Sequence, residues 1–375
     1  MIKSIFWKGS GSVKDTLRVI VLKGATELGE QVNYELQKIR KEKKSYIVPI
    51  VQSRFTNGEG KVVITETIRK KDVYLLVDIS NYSCTYPMFD YVNHYSPDEY
   101  FQDVKRVISA MMGHASSITV IMPLLYASRQ HRRKGRESLD CAMALQELQA
   151  LGVDDIVTFD VHDPNIQNAV PNMAFENFYP THTIISSFIE RESLDYQELL
   201  VVSPDTGAMD RARYYADILE TDVGMFYKRR DLSKVVDGKN PIVAHEYLGK
   251  DVNGKTVLVV DDMIASGDSI LEVSMELKKR GAKKIYLVAT FALFTAGIKR
   301  FEQYYKDGYF DRIYATNLCY VPKEALQQEW FVAVDCASFV AEIIDTLNKH
   351  ESISPLMNGK KEIIERIRNK KMKSS

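Results

Sequence analysis

A chain of 375 residues has room for two domains, at about 100–200 residues each. With 45% hydrophobic residues it can bury ordinary cores, and 50 basic residues balance 50 acidic ones, so no overall field holds it on nucleic acid or a membrane. No apolar run approaches the roughly 18 residues that span a bilayer, and the start MIKSIFWKGSGSVKD has no signal-peptide core. The four cysteines, Cys84, Cys141, Cys319 and Cys336, lack zinc-ligand spacing and read as reduced thiols, so a cytoplasmic enzyme is expected.

Along the chain, short β-branched runs alternate with longer helical stretches. Strands are expected at residues 16–22, 73–78, 118–122, 155–159, 199–203, 257–260 and 284–290. Amphipathic helices are expected at 139–151 and 270–280, with Gly152 and Gly281 just past them, where a left-handed stop favours glycine. Repeated strand–helix–strand order argues for an α/β fold with parallel sheets flanked by helices. A junction near Pro171–Pro180 divides the chain into 1–175, 176–340 and a C-terminal helix with a basic tail, 341–375. Segments 318–322 and 330–334 return the chain to a sheet, 337–349 is helical, and the Lys-rich tail reads as a solvated terminus.

The most specific local signal is KTVLVVDDMIASGDSILEV, residues 255–273. A buried strand ends in Asp261 and Asp262, and the small-residue turn Ala265-Ser266-Gly267-Asp268-Ser269 opens a helix. Ligands of open α/β sheets bind beyond the carboxyl ends of the strands. Backbone N–H groups at a helix start suit a phosphate, and two carboxylates just before it suit adjacent sugar hydroxyls. A ribose carrying a 5-phosphate fits that pattern; an ordinary turn with solvated aspartates is the plainer alternative. The Gly-Lys-Ser/Thr ending of a Walker A loop is missing.

Five other segments carry chemistry. Arg54-Phe55-Thr56-Asn57-Gly58-Glu59 offers an aromatic face for adenine at Phe55 and polar groups at Asn57 and Glu59. PLLYASRQHRRKGRE, 123–137, gathers Arg129, Arg132, Arg133, Lys134 and Arg136 into a cationic mouth beside Gln130, suited to a triphosphate. No aromatics interleave there, which disfavours nucleic acid. Phe159-Asp160-Val161-His162 places a histidine after one strand, and Ser203-Pro204-Asp205-Thr206-Gly207-Ala208 a carboxylate after another, followed by Arg211-Ala212-Arg213. Lys228-Arg229-Arg230 lies between Asp205 and the phosphate loop.

In this order the segments resemble those of the ribose-phosphate pyrophosphokinases, from about Leu17 to Leu356. The 261–269 loop is similar to one those enzymes share with phosphoribosyltransferases. The resemblance implies two phosphoribosyltransferase-like domains, each a mainly parallel sheet flanked by helices. It implies transfer of the β,γ-diphosphoryl group of MgATP to the anomeric hydroxyl of ribose 5-phosphate, giving phosphoribosyl pyrophosphate and AMP for nucleotide biosynthesis. Carried over residue by residue, it implies ATP contacts at Phe55, Asn57, Glu59, Arg129 and Gln130, and Mg2+ at His162 and Asp205. Lys228 and Arg230 would be catalytic, on a mobile loop. Ribose 5-phosphate would meet Arg230, Asp261, Asp262, Ala265, Ser266, Gly267, Asp268 and Ser269. A homo-oligomer is also implied, dimers assembling into a hexamer, with the Phe55 loop serving a neighbouring subunit.

The chain departs from the family's Asp-Asp-x-x-Asp-Thr-Gly-Gly-Thr loop at Ala265 and Asp268, and elsewhere at His131, Ala208 and Phe291-Ala292; residues 82–102 read as an insertion. Asp268 sets a negative charge near a dianion, so its side chain is expected to point away. Two other readings stay open. A phosphoribosyltransferase would not need the segments around Phe55 and Arg129. A non-catalytic regulatory paralogue is favoured by Ala265 and Asp268 and opposed by Lys228, Arg230, His162 and Asp205.

Overall fold

β-Branched runs become strands, and apolar residues at helical spacing become helices, over most of the chain. The computed structural model describes residues 16–133, 135–230, 242–357, 363–365 and 367–368. The first lobe contains β1 (Leu17–Val21), α1 (Thr26–Arg40), β2 (Ile50–Arg54), β3 (Gly60–Ile64), β4 (Asp72–Leu76), β5 (Thr85–Met88) and β6 (Tyr91–His94). It continues with α2 (Pro97–Ala110), β7 (Ser117–Ile121), α3 (Asp140–Ala150), β8 (Asp155–Phe159) and β9 (Ala174–Phe178). Strands β1, β4, β7, β8 and β9 form, in that order, a parallel sheet. The pairs β2–β3 and β5–β6 are antiparallel hairpins outside it, and the second occupies part of the expected 82–102 insertion. Helix α2 starts at a capping box: Ser96 Oγ accepts from the Glu99 N–H at 3.3 Å, and the Glu99 carboxylate accepts from the Ser96 N–H at 2.8 Å.

The second lobe contains α4 (Thr181–Arg191), β10 (Leu199–Ser203), α5 (Met209–Leu219), β11 (Asp222–Arg230), β12 (Ile242–Leu248), β13 (Thr256–Ile264) and α6 (Asp268–Lys279). Then come β14 (Lys284–Ala292), α7 (Lys299–Lys306), β15 (Arg312–Thr316), α8 (Lys323–Leu326), β16 (Phe331–Val334), α9 (Ala337–Asn348) and α10 (Ser354–Met357). Its sheet runs β12-β11-β10-β13-β14-β15-β16 and is parallel except for the β11–β12 ribbon. Gly152 and Gly281 both adopt φ +87°, as the left-handed stops after α3 and α6 require. The expected junctions at 175/176 and 340/341 fall inside β9 and α9.

Three expectations need correction. Residues 318–322 form no strand; β16 alone returns the chain to the sheet. Strand β13 runs on to Ile264, so Asp261 and Asp262 lie within it, because β14 continues beside them and pairs Asp261 with Ala289. The tail is not simply solvated. Ile363 and Ile367, four residues apart and so on one helical face, are buried among Ile184, Ile185 and Leu219, and Arg368 reaches Glu220 at 2.8 Å.

The lobes share a core. Helix α9 sets Val340, Ile343 and Ile344 against Val32 and Leu36 of α1 and Leu17 and Val19 of β1. Phe339 packs edge-on to Phe159 and Phe178 of the first lobe, with both centroids at 5.9 Å. Among the described residues no helix is long and apolar enough to cross a membrane. Because Phe339 fills the seam, Phe339→Ala should cost about 3–5 kcal/mol, as buried Phe truncations do. Urea unfolding followed by fluorescence checks this, and a loss below about 1 kcal/mol would mean that the seam collapses to fill the void.

Candidate active site

The carboxyl ends of β8, β10 and β13 converge on one cleft between the lobes. It has a volume of about 400 Å³, within the usual range for a small-molecule site. His162, Asp205, Asp261, Asp262 and the whole 265–269 turn line it, together with Arg129 and Arg211. A second cavity, about 640 Å³, adjoins it at His162, Gly207 and Arg211 and is bordered by His131 and Arg132.

Asp160 closes β8 in the left-handed region, at φ 44°. There its carboxylate takes hydrogen bonds from Arg211 Nε at 2.9 Å to each oxygen, from Arg211 Nη2 at 2.7 Å, and from Thr290 Oγ1 at 2.5 Å. Asp160 belongs to the first lobe, and Arg211 and Thr290 to the second. Two residues on, His162 Nδ1 meets Asp262 Oδ2 at 2.7 Å, again across the lobes. The hydrogen bond to Asp262 raises the His162 pKa, against burial and the charges of Arg129 and Arg211. Burial opposes ionisation of Asp262, but His162 and Arg211 outweigh it and hold its pKa below the ordinary value. Asp261 is pushed well above its ordinary value by burial and by the neighbouring Asp262 charge. Two adjacent aspartates are thus shifted in opposite directions.

Asp205 folds back on its own turn: Oδ1 accepts from the N–H groups of Gly207 at 2.8 Å and Ala208 at 3.1 Å. The 265–269 turn is held by Gly267, at φ +87°, as the residue before α6. A Cβ there would lie 2.1 Å from the Phe301 ring, so the position requires glycine on both counts. Asp268 lines the cleft, where it accepts from Ser266 Oγ at 2.7 Å and pairs with Arg300.

The other predicted residues are distributed unevenly. Arg129 borders the cleft, and Gln130 Oε1 accepts from Ser138 Oγ at 3.4 Å. Phe55, Asn57 and Glu59 form the exposed β2–β3 turn, where Asn57 Oδ1 accepts from the Glu59 N–H at 3.2 Å; they line neither cavity. Lys228 and Arg230 were expected on a loop. They instead end β11, because β12 pairs with them, Lys228 opposite His245 and Arg230 opposite Ile242; their side chains fall outside the described residues. Lys134 is also outside them. Among the described residues no group of three or more His, Cys, Asp and Glu side chains is placed to hold a metal alone. The sequence reading gave no partner to Asp160 and did not single out Arg300. An aspartate two residues before His162 and an arginine 32 residues past Asp268 carry no spacing signal that pairs them.

Two family models match the chain: the N-terminal domain of ribose phosphate pyrophosphokinase over residues 17–152, and the phosphoribosyl transferase domain over residues 180–318. A ribose-phosphate pyrophosphokinase from Gloeobacter violaceus is 30% identical over 311 residues, covering 82% of this chain and 85% of the relative. The chain belongs to the ribose-phosphate pyrophosphokinase family. It is an enzyme of that family. A relative of the same name from Vibrio cholerae is 28% identical over 310 residues, covering 82% of this chain and 90% of the relative. The fold matches the crystal structure of phosphoribosylpyrophosphate synthetase from Mycobacterium smegmatis, with a TM-score of 0.74 at 22% identity, over 89% of this chain and 99% of that one.

The pair that joins the lobes is open to direct test. Arg211→Met leaves Asp160 buried without its counter-ion and should cost about 3–5 kcal/mol in urea unfolding. Adding Asp160→Asn should recover part of that loss, since asparagine tolerates the left-handed backbone. No loss in the single variant would mean that the pair contributes nothing to holding the lobes.

Proposed function

We propose that the cleft transfers the β,γ-diphosphoryl group of ATP to the anomeric hydroxyl of ribose 5-phosphate, giving phosphoribosyl pyrophosphate and AMP. One observation carries the reading: the 265–269 turn at the start of α6 shares a single cleft with Arg129, His162 and Asp205. A phosphoribosyltransferase needs the turn but not the facing groups. In the reaction the sugar O1 attacks the β-phosphorus and loses its proton. The O1–Pβ bond forms, the bridge between Pα and Pβ breaks, and AMP leaves with the bridging oxygen. Such transfers depend on positioning and on neutralising charge, with little covalent work for the protein.

Backbone N–H groups at the start of α6 hold the 5-phosphate. Asp261 and Asp262 accept hydrogen bonds from the ribose hydroxyls. Arg129, close enough for its charge to act on His162, meets the triphosphate with Gln130. Lys228 and Arg230, at the end of β11, stabilise charge developing on the transferring oxygens. Phe55, Asn57 and Glu59 act on the adenine of a neighbouring subunit in a homo-oligomer, dimers within a hexamer, since they line neither of the two cavities described above.

Mg2+ fits the remaining donors. Nδ1 of His162 is engaged by Asp262, leaving Nε2; Oδ1 of Asp205 is engaged by two backbone N–H groups, leaving Oδ2. Two protein ligands completed by phosphate oxygens and water match the habits of Mg2+. When bound, Mg2+ supplies charge neutralisation and orientation of the triphosphate.

Purified protein with MgATP and ribose 5-phosphate, followed for AMP and phosphoribosyl pyrophosphate, tests the reading; absence of both products rejects it. Lys228→Ala and Arg230→Ala should lower kcat by about 100-fold or more while changing ATP affinity far less, the mark of contacts made in the transition state. Parallel losses in kcat and affinity would argue against that role. Asp205→Asn and His162→Ala should each raise the Mg2+ concentration needed for half-maximal rate at fixed ATP, and superimposable magnesium curves would dismiss the shared metal site.

A further inference from the structure

Asp268 is the one residue of the 265–269 turn whose charge opposes a phosphate, and the fold delivers a cation to it. Arg300, in the first turn of α7, donates from Nη1 to Asp268 Oδ1. The other carboxylate oxygen, Oδ2, accepts from Ser266 Oγ at 2.7 Å. Arg300 is half-exposed, yet its backbone is held in place. Its neighbour Phe301 is wholly buried, stacked on Trp330 at 6.1 Å and 17° and edge-on to Phe294 at 4.9 Å and 86°. The same Phe301 ring occupies the space beside Gly267 that a Cβ would need. The turn is tied to this region again by the Thr295 N–H, which donates to the Ala265 carbonyl at 3.0 Å. Thus α7 is anchored against the turn at Gly267, and the anchoring residue is next in sequence to Arg300.

We propose that Arg300 is a positioning residue for the phosphoryl group of ribose 5-phosphate, acting through Asp268. It cancels the carboxylate's charge and, with Ser266, draws it sideways, so the backbone donors of the turn stay available to a dianion. A guanidinium also has five N–H donors in a planar fork, so the edge not facing Asp268 adds favourable charge beside the site. The residue on α7 thereby offsets the acidic replacement in the turn, and the turn retains the electrostatics of a phosphate site. This inference rests on the reading of the cleft as a ribose-phosphate site.

Calorimetric titrations of ribose 5-phosphate and, separately, of inorganic phosphate test it in wild type, Arg300→Ala, Arg300→Lys, Asp268→Gly and the Arg300→Ala/Asp268→Gly double variant. Arg300→Ala should weaken both ligands by about tenfold or more, equivalent to about 1.4 kcal/mol. Arg300→Lys should retain most of the affinity, and the double variant should return to within about threefold of wild type. The Arg300→Ala penalty should shrink at high salt, which a merely structural role would not do. Unchanged binding in Arg300→Ala, or a loss that Asp268→Gly fails to relieve, overturns the proposal. If the pattern holds for inorganic phosphate while ribose 5-phosphate binds no better than phosphate itself, the role of Arg300 stands and the sugar reading falls. A wild type that binds neither ligand overturns both.

Discussion

The cleft depends on one buried ion pair, Asp160 with Arg211. Each partner comes from a different lobe, and both are nearly sealed from solvent, with side chains 3% and 13% exposed. A pair in that setting forfeits much of its attraction to desolvation, whereas either partner left alone there would be costly. The three hydrogen bonds from Arg211 and the one from Thr290 leave the Asp160 carboxylate a single orientation. The left-handed backbone at Asp160 then turns the chain so that His162 reaches Asp262. Arg211 also helps to hold Asp262 ionised, so the same guanidinium sets both the distance between the lobes and the charge within the cleft.

The charges divide by pH in a definite way. Asp262 has a lowered pKa in the fold, so what its ionised form contributes to stability is present at neutral pH and lost as pH falls below its ordinary value. His162 has a raised pKa, so what its protonated form contributes is complete below its ordinary value and lost as pH rises through the raised one. The pairing of the two is therefore strongest in the mildly acidic window between them. Burial and the neighbouring Asp262 charge shift Asp261 the opposite way, toward its neutral form.

Much of this was legible in the residues themselves. Strands at 155–159 and 199–203 and the glycine stops Gly152 and Gly281 follow from local rules: β-branched runs and positive φ are written in a few neighbouring side chains. The turn at 265–269 was legible for the same reason, and so was the placing of His162 and Asp205 just past strand ends. What escaped was non-local. The pairing of Asp268 with Arg300 and of Asp160 with Arg211 depends on which helix packs beside which strand, and no spacing encodes that. The extension of β13 through Asp261 and Asp262 depends on β14 running beside it, and Lys228 and Arg230 became strand because β12 pairs with them. Burial of Ile363 and Ile367 was hidden by the lysines around them, since composition averages over a helix's two faces.

The seam between α1 and α9 has a further consequence, for how the chain is made. Arg40 on α1 bonds Asp345 on α9 at 2.7 Å across 305 residues of sequence, and the apolar faces around that contact are equally remote along the chain. During synthesis the N-terminal sheet is completed long before the element that covers its outer helix has left the ribosome. Val32 and Leu36 then face water for as long as it takes to translate the rest of the protein, and closing so large a loop carries an entropic cost that local contacts avoid. The first lobe is thus a native-like sheet with one apolar face exposed until α9 arrives, the kind of species that chaperones bind and that aggregates when they do not.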